Sequence, residues 1–300
     1  MGSALAAQGS LAGQLGRTRR SGLAHWWTIA RRKPVGAVSL AVIVVVVLVA
    51  ILAPYLNTTD LYSKDDRNLK ASPSAAHWLG TDEYGRDFYT QMVYGARVTL
   101  MVAFLSIGIG TGAGLALGVL SGYLGGWVDI LMQRLVDIMF SFPTIVLAIA
   151  IMSVLGQGMD KVIFAIAVVE GPRTIRVIRG SVLSVRENVY IDAARALGAV
   201  PFRIMALHVL PGVMAPYLIL FTSFLGSAVL LEASLSFLGL GVPPPDPSWG
   251  RFLSSSATGY ALSAPVLVLA PGLAITVVVL AFNLLGDALR DLWDPRLRGR

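Results

Sequence analysis

The chain has 300 residues, with 24 Lys+Arg against 17 Asp+Glu, 55% hydrophobic residues, 14% charged residues and no cysteine. Soluble domains carry roughly a quarter of their residues as charged side chains, so this composition excludes an ordinary soluble domain and places the apolar excess in lipid. The missing cysteines exclude disulfides, thiol nucleophiles, iron–sulfur clusters and Cys-ligated zinc, and His25, His77 and His208 stand singly without metal-ligand spacing.

A hydrocarbon core of about 30 Å takes about 20 apolar residues at helical rise, so uncharged runs set the expected spans. Pro34 to Thr59 is uncharged and apolar over Val35 to Ala53, which predicts a first span at 34–56. Arg31-Arg32-Lys33 before it resembles the basic start of a signal peptide, but the run exceeds a cleavable core of about 7–15 residues and begins well inside the chain, so it is read as retained. Val98 to Val128 predicts a second span and Ile138 to Met159 a third. Val162 to Val169 is short and borrows flanks from Gly156 to Gly171 for a fourth. Val209 to Leu231 and Pro265 to Gly286 complete six.

Lys and Arg beside the spans set the orientation. Arg17, Arg19, Arg20, Arg31, Arg32 and Lys33 precede the first span with no acid among them. Arg173, Arg176, Arg179, Arg186, Arg195 and Arg203 lie between spans four and five, and Arg290, Arg296, Arg298 and Arg300 follow the sixth. Six spans put all three basic regions on one side, read as cytoplasmic, with segment 57–95 outside and both termini inside. The +7 balance is then a matter of topology and calls for no nucleic acid. Residues 1–33 form a cytoplasmic N-terminal segment whose arginines and Trp26-Trp27 suit anionic headgroups, and 287–300 form a cytoplasmic tail.

Gly110, Gly114, Gly118 and Gly122 fall four apart and share one helical face, which lets helix backbones approach closely in lipid. Tight packing and a moving gate both suit such a face. No His-Glu-x-x-His, Gly-x-Ser-x-Gly or Gly-Lys-Ser/Thr occurs, so the chain carries no catalytic, metal or nucleotide motif, and any ATP is hydrolysed by a partner. Tyr190 to Ile204 reads as a short alanine-lined helix stopped by Gly198, with a second helix opened by Pro201. Such a knuckle suits the groove of another protein.

The run Asp192-Ala193-Ala194-Arg195, then Gly198, then Leu210-Pro211, looks like the EAA signature of the membrane subunits of ABC importers, with Asp192 where Glu is usual. His77-Trp78-Leu79-Gly80-Thr81-Asp82-Glu83-Tyr84-Gly85-Arg86-Asp87 and Gly95-Ala96-Arg97-Val98-Thr99-Leu100 resemble the C-type permease of dipeptide and oligopeptide importers, a group that includes nickel permeases. Arg134-Leu135-Val136-Asp137 with Phe142-Pro143, Glu232 to Gly241 with Trp249-Gly250, and Asn283 to Asp287 with Asp294-Pro295-Arg296 extend the likeness in order from His77 to Arg296. Glu170-Gly171-Pro172-Arg173 departs from it, since the family usually has a tryptophan and no acid there.

The resemblance implies an all-α, six-span, type I ABC importer permease in the bacterial inner membrane, with the permease domain over 96–286 and a cytoplasmic coupling loop over 172–207. It implies a second homologous permease, two ATP-binding subunits that hold ATP and Mg, and an extracytoplasmic peptide-binding protein. Asp192, Ala193, Ala194, Arg195, Gly198, Pro201 and Arg203 would form the ATPase contact. Asp82, Arg86, Asp87 and Arg97 would lie on the binding-protein side, where a surface network among the charges is an equal reading. The charges near the membrane have local readings as well: Arg134 with Asp137 as a pair at helical spacing, and Glu170 with Arg173 or Arg176. Pro243 to Pro247 reads as a stiff connector. The rivals are a nickel permease and a secondary transporter driven by an ion gradient through Asp137, Glu170 and Glu232.

Overall fold

The computed structural model describes residues 34–65, 67–259 and 264–293. The basic segment 1–33 and the end of the tail, with Arg296, Arg298 and Arg300, lie outside the described residues. Within them the helices are α1 (Pro34–Ile51), α2 (Ala53–Leu56), α3 (Phe88–Leu124), α4 (Gly126–Phe140), α5 (Thr144–Leu155), α6 (Met159–Val185), α7 (Val189–Ala196), α8 (Pro201–Ile204), α9 (Leu210–Phe237), α10 (Trp249–Gly259) and α11 (Val266–Trp293). A π-helical turn, Met205–Val209, joins α8 to α9. An isolated antiparallel bridge pairs Thr81 with Asp87.

The axis of the bundle is α3, whose 37 residues would reach about 55 Å at helical rise. It lies along α6 on one side and touches α9 and α1 on others, while α11 packs on α9 and α1. The α3–α6 contact is close because α3 presents glycine. A Cβ on Gly110 would stand 2.5 Å from the Ala167 carbonyl oxygen, one on Gly114 2.6 Å from Thr174 Cβ, one on Gly118 2.9 Å from Ile178 Cβ and one on Gly122 2.8 Å from Val182 Cβ. These four positions meet α6 at successive turns, so the absent side chains set the separation of the two helices. Between lipid-exposed helices, where the hydrophobic drive is lost, this dispersion contact is the principal attraction.

The larger apolar core joins Ile107 of α3, Ile166 of α6, Leu235 of α9, Phe252 of α10 and Phe282 of α11. A second core holds Val119, Ile178, Val182, Ile191, Ile204 and Val209 at one end of the bundle. The opposite end carries segment 57–87, which folds as a cap over the start of α3, and α10, whose Trp249 Nε1 donates to Met92 O at 3.0 Å.

Several expected spans are corrected. Four described helical stretches are long and apolar enough to cross a membrane: Pro34–Ile51, Phe88–Leu124, Pro201–Phe237 and Val266–Trp293. The expected third span is broken, because Ile138 to Phe140 end α4 and the chain turns by 92° before α5; the two together make a fifth span if they act as one. Pro143, with no N–H to donate, stands at the N-cap of α5 and makes that break. The expected fourth span lies inside α6, a 27-residue helix with Pro172 in its interior. Its length suffices for a bilayer at about 1.5 Å per residue, but Asp160, Lys161, Glu170, Arg173, Arg176 and Arg179 remove it from a count based on apolar composition. The sequence suggests a stop near Gly171-Pro172, whereas packing carries the helix on to Val185, so residues 172–185 of the expected loop 172–207 continue α6. The second span starts ten residues early, at Phe88, and α11 continues past Gly286 to Trp293.

Gly114→Leu is expected to force α3 from α6 and lower the stability of the detergent-solubilised chain by about 1–3 kcal/mol, the usual cost of overpacking. Gly112, whose Cβ would meet nothing within 4 Å, serves as the control. Thermal unfolding should show a clear loss for Gly114→Leu and none for Gly112→Ala.

Candidate functional site

At the end of the bundle reached by Tyr123, the chain leaves α6 at Arg186 and, after three residues, enters α7. The helix ends where the sequence indicates. Gly198 takes φ +77°, the Gly198 N–H donates to Arg195 O at 2.9 Å and the Ala199 N–H to Ala194 O at 3.1 Å. This paired closure satisfies the last carbonyls of α7, and its left-handed position suits glycine. Pro201 then begins α8, where its missing N–H costs nothing.

The two short helices have opposite faces of different character. Ile191, Ala194, Ile204 and Met205 are buried against Ile178 and Val182 of α6 and Val119 of α3. Burial of Ile191 and Ile204 is worth about 1.5–3 kcal/mol each, enough to foot the knuckle firmly on the bundle. On the outer face Val189 is 84% exposed, Leu197 89%, Val200 61% and Phe202 77%. Asp192, Ala193, Arg195, Gly198, Pro201 and Arg203 are exposed with them, while Ala194 points inward. Asp192 accepts from Arg195 at 3.0 Å, an exposed pair of small energetic weight. Arg195 also lies over the Tyr123 ring at 5.4 Å, and its interaction with Tyr123, aided by Asp192, raises the guanidinium pKa. The following π-helical turn holds His208, stacked on Tyr190 at 6.4 Å, with a buried Nδ1 that has no hydrogen-bond partner among the described residues.

The cap at the other end is a closed polar network. Asp82, Arg86 and Asp87 are all buried. Arg86 Nε donates to Asp82 Oδ2 at 2.8 Å, and the backbone N–H groups of Tyr84 and Arg86 donate to Asp82 Oδ1, both at 2.8 Å. Asp87 is the N-cap of α3: its Oδ2 accepts from the Thr90 N–H at 2.9 Å and from the Thr58 hydroxyl at 2.7 Å, and its Oδ1 lies 3.0 Å from His77 Nδ1. Burial opposes ionisation of Asp87, but the hydrogen bonds from Thr90, Thr58 and His77 outweigh it and hold the carboxyl below its ordinary pKa. These three side chains therefore tie the cap together, and Asp82 and Arg86 also line the cleft beside it. Arg97, on α3 and ten residues further along, is exposed. A cleft of about 720 Å³ opens beside the network, lined by Tyr62, Lys64, Tyr84, Arg86, Arg251 and Phe252 among others.

With this geometry in view, comparison with known proteins is decisive. Residues 114–299 match the family described as binding-protein-dependent transport system inner membrane component, and residues 23–73 match the N-terminal TM domain of oligopeptide transport permease C. This chain belongs to that inner membrane component family. The dipeptide transport system permease protein DppC of Alkalihalophilus pseudofirmus is 43% identical over 271 residues, covering 89% of this chain and 88% of that one. The glutathione transport system permease protein GsiD of Pectobacterium atrosepticum is 39% identical over 276 residues, covering 91% of each. Among solved structures, a chain of the MetNI methionine ABC transporter in an inward-facing conformation aligns with TM-score 0.56 at 22% identity, over 67% of this chain and 96% of that one. At that identity the likeness is one of fold. The chain is thus a polytopic membrane permease subunit of all-α fold.

In this permease the ionisable groups near the membrane have separate partners. Glu170 is buried and meets Arg173 at 3.5 Å. Glu232 is buried, accepting from the Ser236 hydroxyl at 2.7 Å and the Thr99 hydroxyl at 3.4 Å. Asp137 pairs with Arg176 of α6, which corrects the expected Arg134–Asp137 pair. Sequence spacing missed this because the contact spans 39 residues, whereas Arg134 is three residues away on the same helix. It also missed Asp129, which receives Arg179 from 50 residues along the chain.

Asp87→Ala is expected to destabilise the cap at pH 7 by about 1–2 kcal/mol, the usual cost of a lost N-cap. Because the folded pKa of Asp87 is lowered, its contribution is present above the ordinary carboxylate pKa and is lost as pH falls through the lower folded value. The gap between wild type and Asp87→Ala, followed by thermal unfolding with intrinsic tryptophan fluorescence, should be widest at neutral pH and narrow toward pH 3.

Proposed function

We propose that this permease is the subunit through which cytoplasmic ATPases drive import of short peptides, with α7 and α8 as the contact. The observation that carries this reading is the knuckle itself, buried on one side by Ile191 and Ile204 and exposing Val189, Leu197, Val200 and Phe202 on the other. Exposed apolar side chains of this kind on a buried foot are suited to a protein groove. Asp192, Ala193, Arg195, Gly198, Pro201 and Arg203 border it, and Ala194 keeps α7 close to the bundle.

The functional cycle follows from mechanics. ATP and Mg are held by two partner ATPases, whose closure pushes the knuckle and, through α6 and α9, tilts the bundle about its path. A second homologous permease supplies the other half of that path, and an extracytoplasmic binding protein delivers cargo at the cap end. There Arg97 is an exposed candidate contact, whereas Asp82, Arg86 and Asp87 shape the surface from within. The basic loops, the knuckle and both termini face the cytoplasm in this reading. Peptide cargo is supported by the dipeptide and glutathione permeases to which the chain is similar.

Gly198→Val introduces a β-branched residue at φ +77°, where nothing crowds a Cβ, so its effect is backbone strain of about 1–3 kcal/mol confined to the knuckle. The variant should insert and assemble but hydrolyse ATP with little uptake. Phe202→Asp should lower the amount of ATPase that co-purifies in mild detergent. Proteoliposomes of the complete importer, scored for ATP hydrolysis and for uptake of a labelled dipeptide against nickel, provide the check. Normal coupling in both variants, or nickel as the cargo taken up, rejects the reading.

A further inference from the structure

The helix α4 is poorly anchored by apolar packing. Of its fifteen residues only Val136 is buried, while Trp127, Ile130, Leu131, Leu135 and Ile138 are exposed. It is joined to α3 through Gly125 and Gly126, both with positive φ and without backbone neighbours around a Cβ, and to α5 through the 92° bend. Two glycines in succession leave the junction few steric limits, and apolar burial of one valine does not fix the angle of a helix.

Polar contacts from α6 do so instead. Arg179 sets Nε and Nη2 on the two oxygens of Asp129, each at 2.5 Å, in the first turn of α4. The same carboxylate accepts from the Ser121 hydroxyl of α3 at 2.6 Å, and Gln133 of α4 donates to that hydroxyl at 3.3 Å. Three helices therefore meet at one carboxylate. The pair is less exposed than Asp137–Arg176, its side chains being 18% and 30% accessible, so solvent screens it less. A forked arginine pair fixes orientation as well as distance, which a lysine would not. Along the same helix Arg176 holds Asp137 near the end of α4, and Arg173 donates to the Thr144 hydroxyl at 2.9 Å at the start of α5.

Spacing of three along α6 thus grips the start of α4, its end and the start of α5. The same helix runs unbroken to Val185, and three residues separate it from α7, so these contacts lie on the continuous path between the knuckle and α4.

We propose that Asp129 and Arg179 are positioning residues for energy coupling, clamping α4 to α6 so that α4 follows the knuckle during the ATP-driven cycle. This rests on the importer reading above. The clamp makes α4 part of the lever, and with Arg173 on Thr144 the start of α5 moves with it. Ser121 ties the same point to α3.

The test uses the complete importer with its ATPases in proteoliposomes. Asp129→Asn keeps size and removes charge; Arg179→Lys keeps charge and removes the fork. Both should leave ATP hydrolysis close to wild type and lower peptide uptake per ATP several-fold, and the exchanged pair Asp129→Arg with Arg179→Asp should recover part of it. Since the chain has no cysteine, a spin label on Leu131→Cys reads α4 directly, and its ATP-dependent displacement should disappear in Arg179→Lys. If Asp129→Asn fails to assemble, Arg179→Lys decides alone. Unchanged uptake per ATP and unchanged label motion overturn the clamp; a fall in complex yield with normal coupling in the complex that forms also overturns it, since that marks a merely structural pair. A wild-type complex without ATP-coupled uptake sinks the importer reading instead, while the label's order in the isolated chain still tests whether Arg179 holds α4.

Discussion

Contact between α3 and α6 without intervening side chains is the constraint on which the rest of the molecule depends. Gly110, Gly114, Gly118 and Gly122 bring the α3 backbone against Ala167, Thr174, Ile178 and Val182 over four turns. In lipid, where burying apolar surface gains little because the solvent is itself apolar, such close dispersion contact must supply the attraction. Along this pairing α6 carries Pro172 and a row of arginines as one continuous helix.

Both functional ends are hung on this pair. The knuckle sits at the end of α3 where Val119 and Tyr123 meet α7, and the cap closes over the other end through the Asp87 N-cap. One helix of about 55 Å therefore connects the two places where partners of an importer would act. The knuckle combines a buried foot with an apolar outer face, and the cap buries its charges in mutual hydrogen bonds. The first turns apolar side chains outward, the second turns charges inward.

The α4 helix shows the reverse economy. It has almost no core of its own, and its placement comes from carboxylates meeting arginines of α6. Polar pairs of this kind are directional and limited in number, so they fix orientation as well as distance.

Much of this was legible in the sequence. Uncharged runs located the apolar helices, the four-residue glycine spacing marked a packing face, and Gly198 with Pro201 marked where α7 stops and α8 starts. Those signals are local, set by helical period and by the backbone preferences of single residues. Tertiary structure alone decided which helix fills the glycine face, that α6 continues through Pro172, that the third span turns by 92°, and that Asp137 turns from Arg134 to Arg176. Asp129 and Arg179 stand 50 residues apart, and no periodicity links them. Local rules fix the vocabulary of elements, whereas the choice of partner for a charge or a bare helix face is made by whatever the packed chain brings within reach, and that distance is written nowhere in sequence spacing.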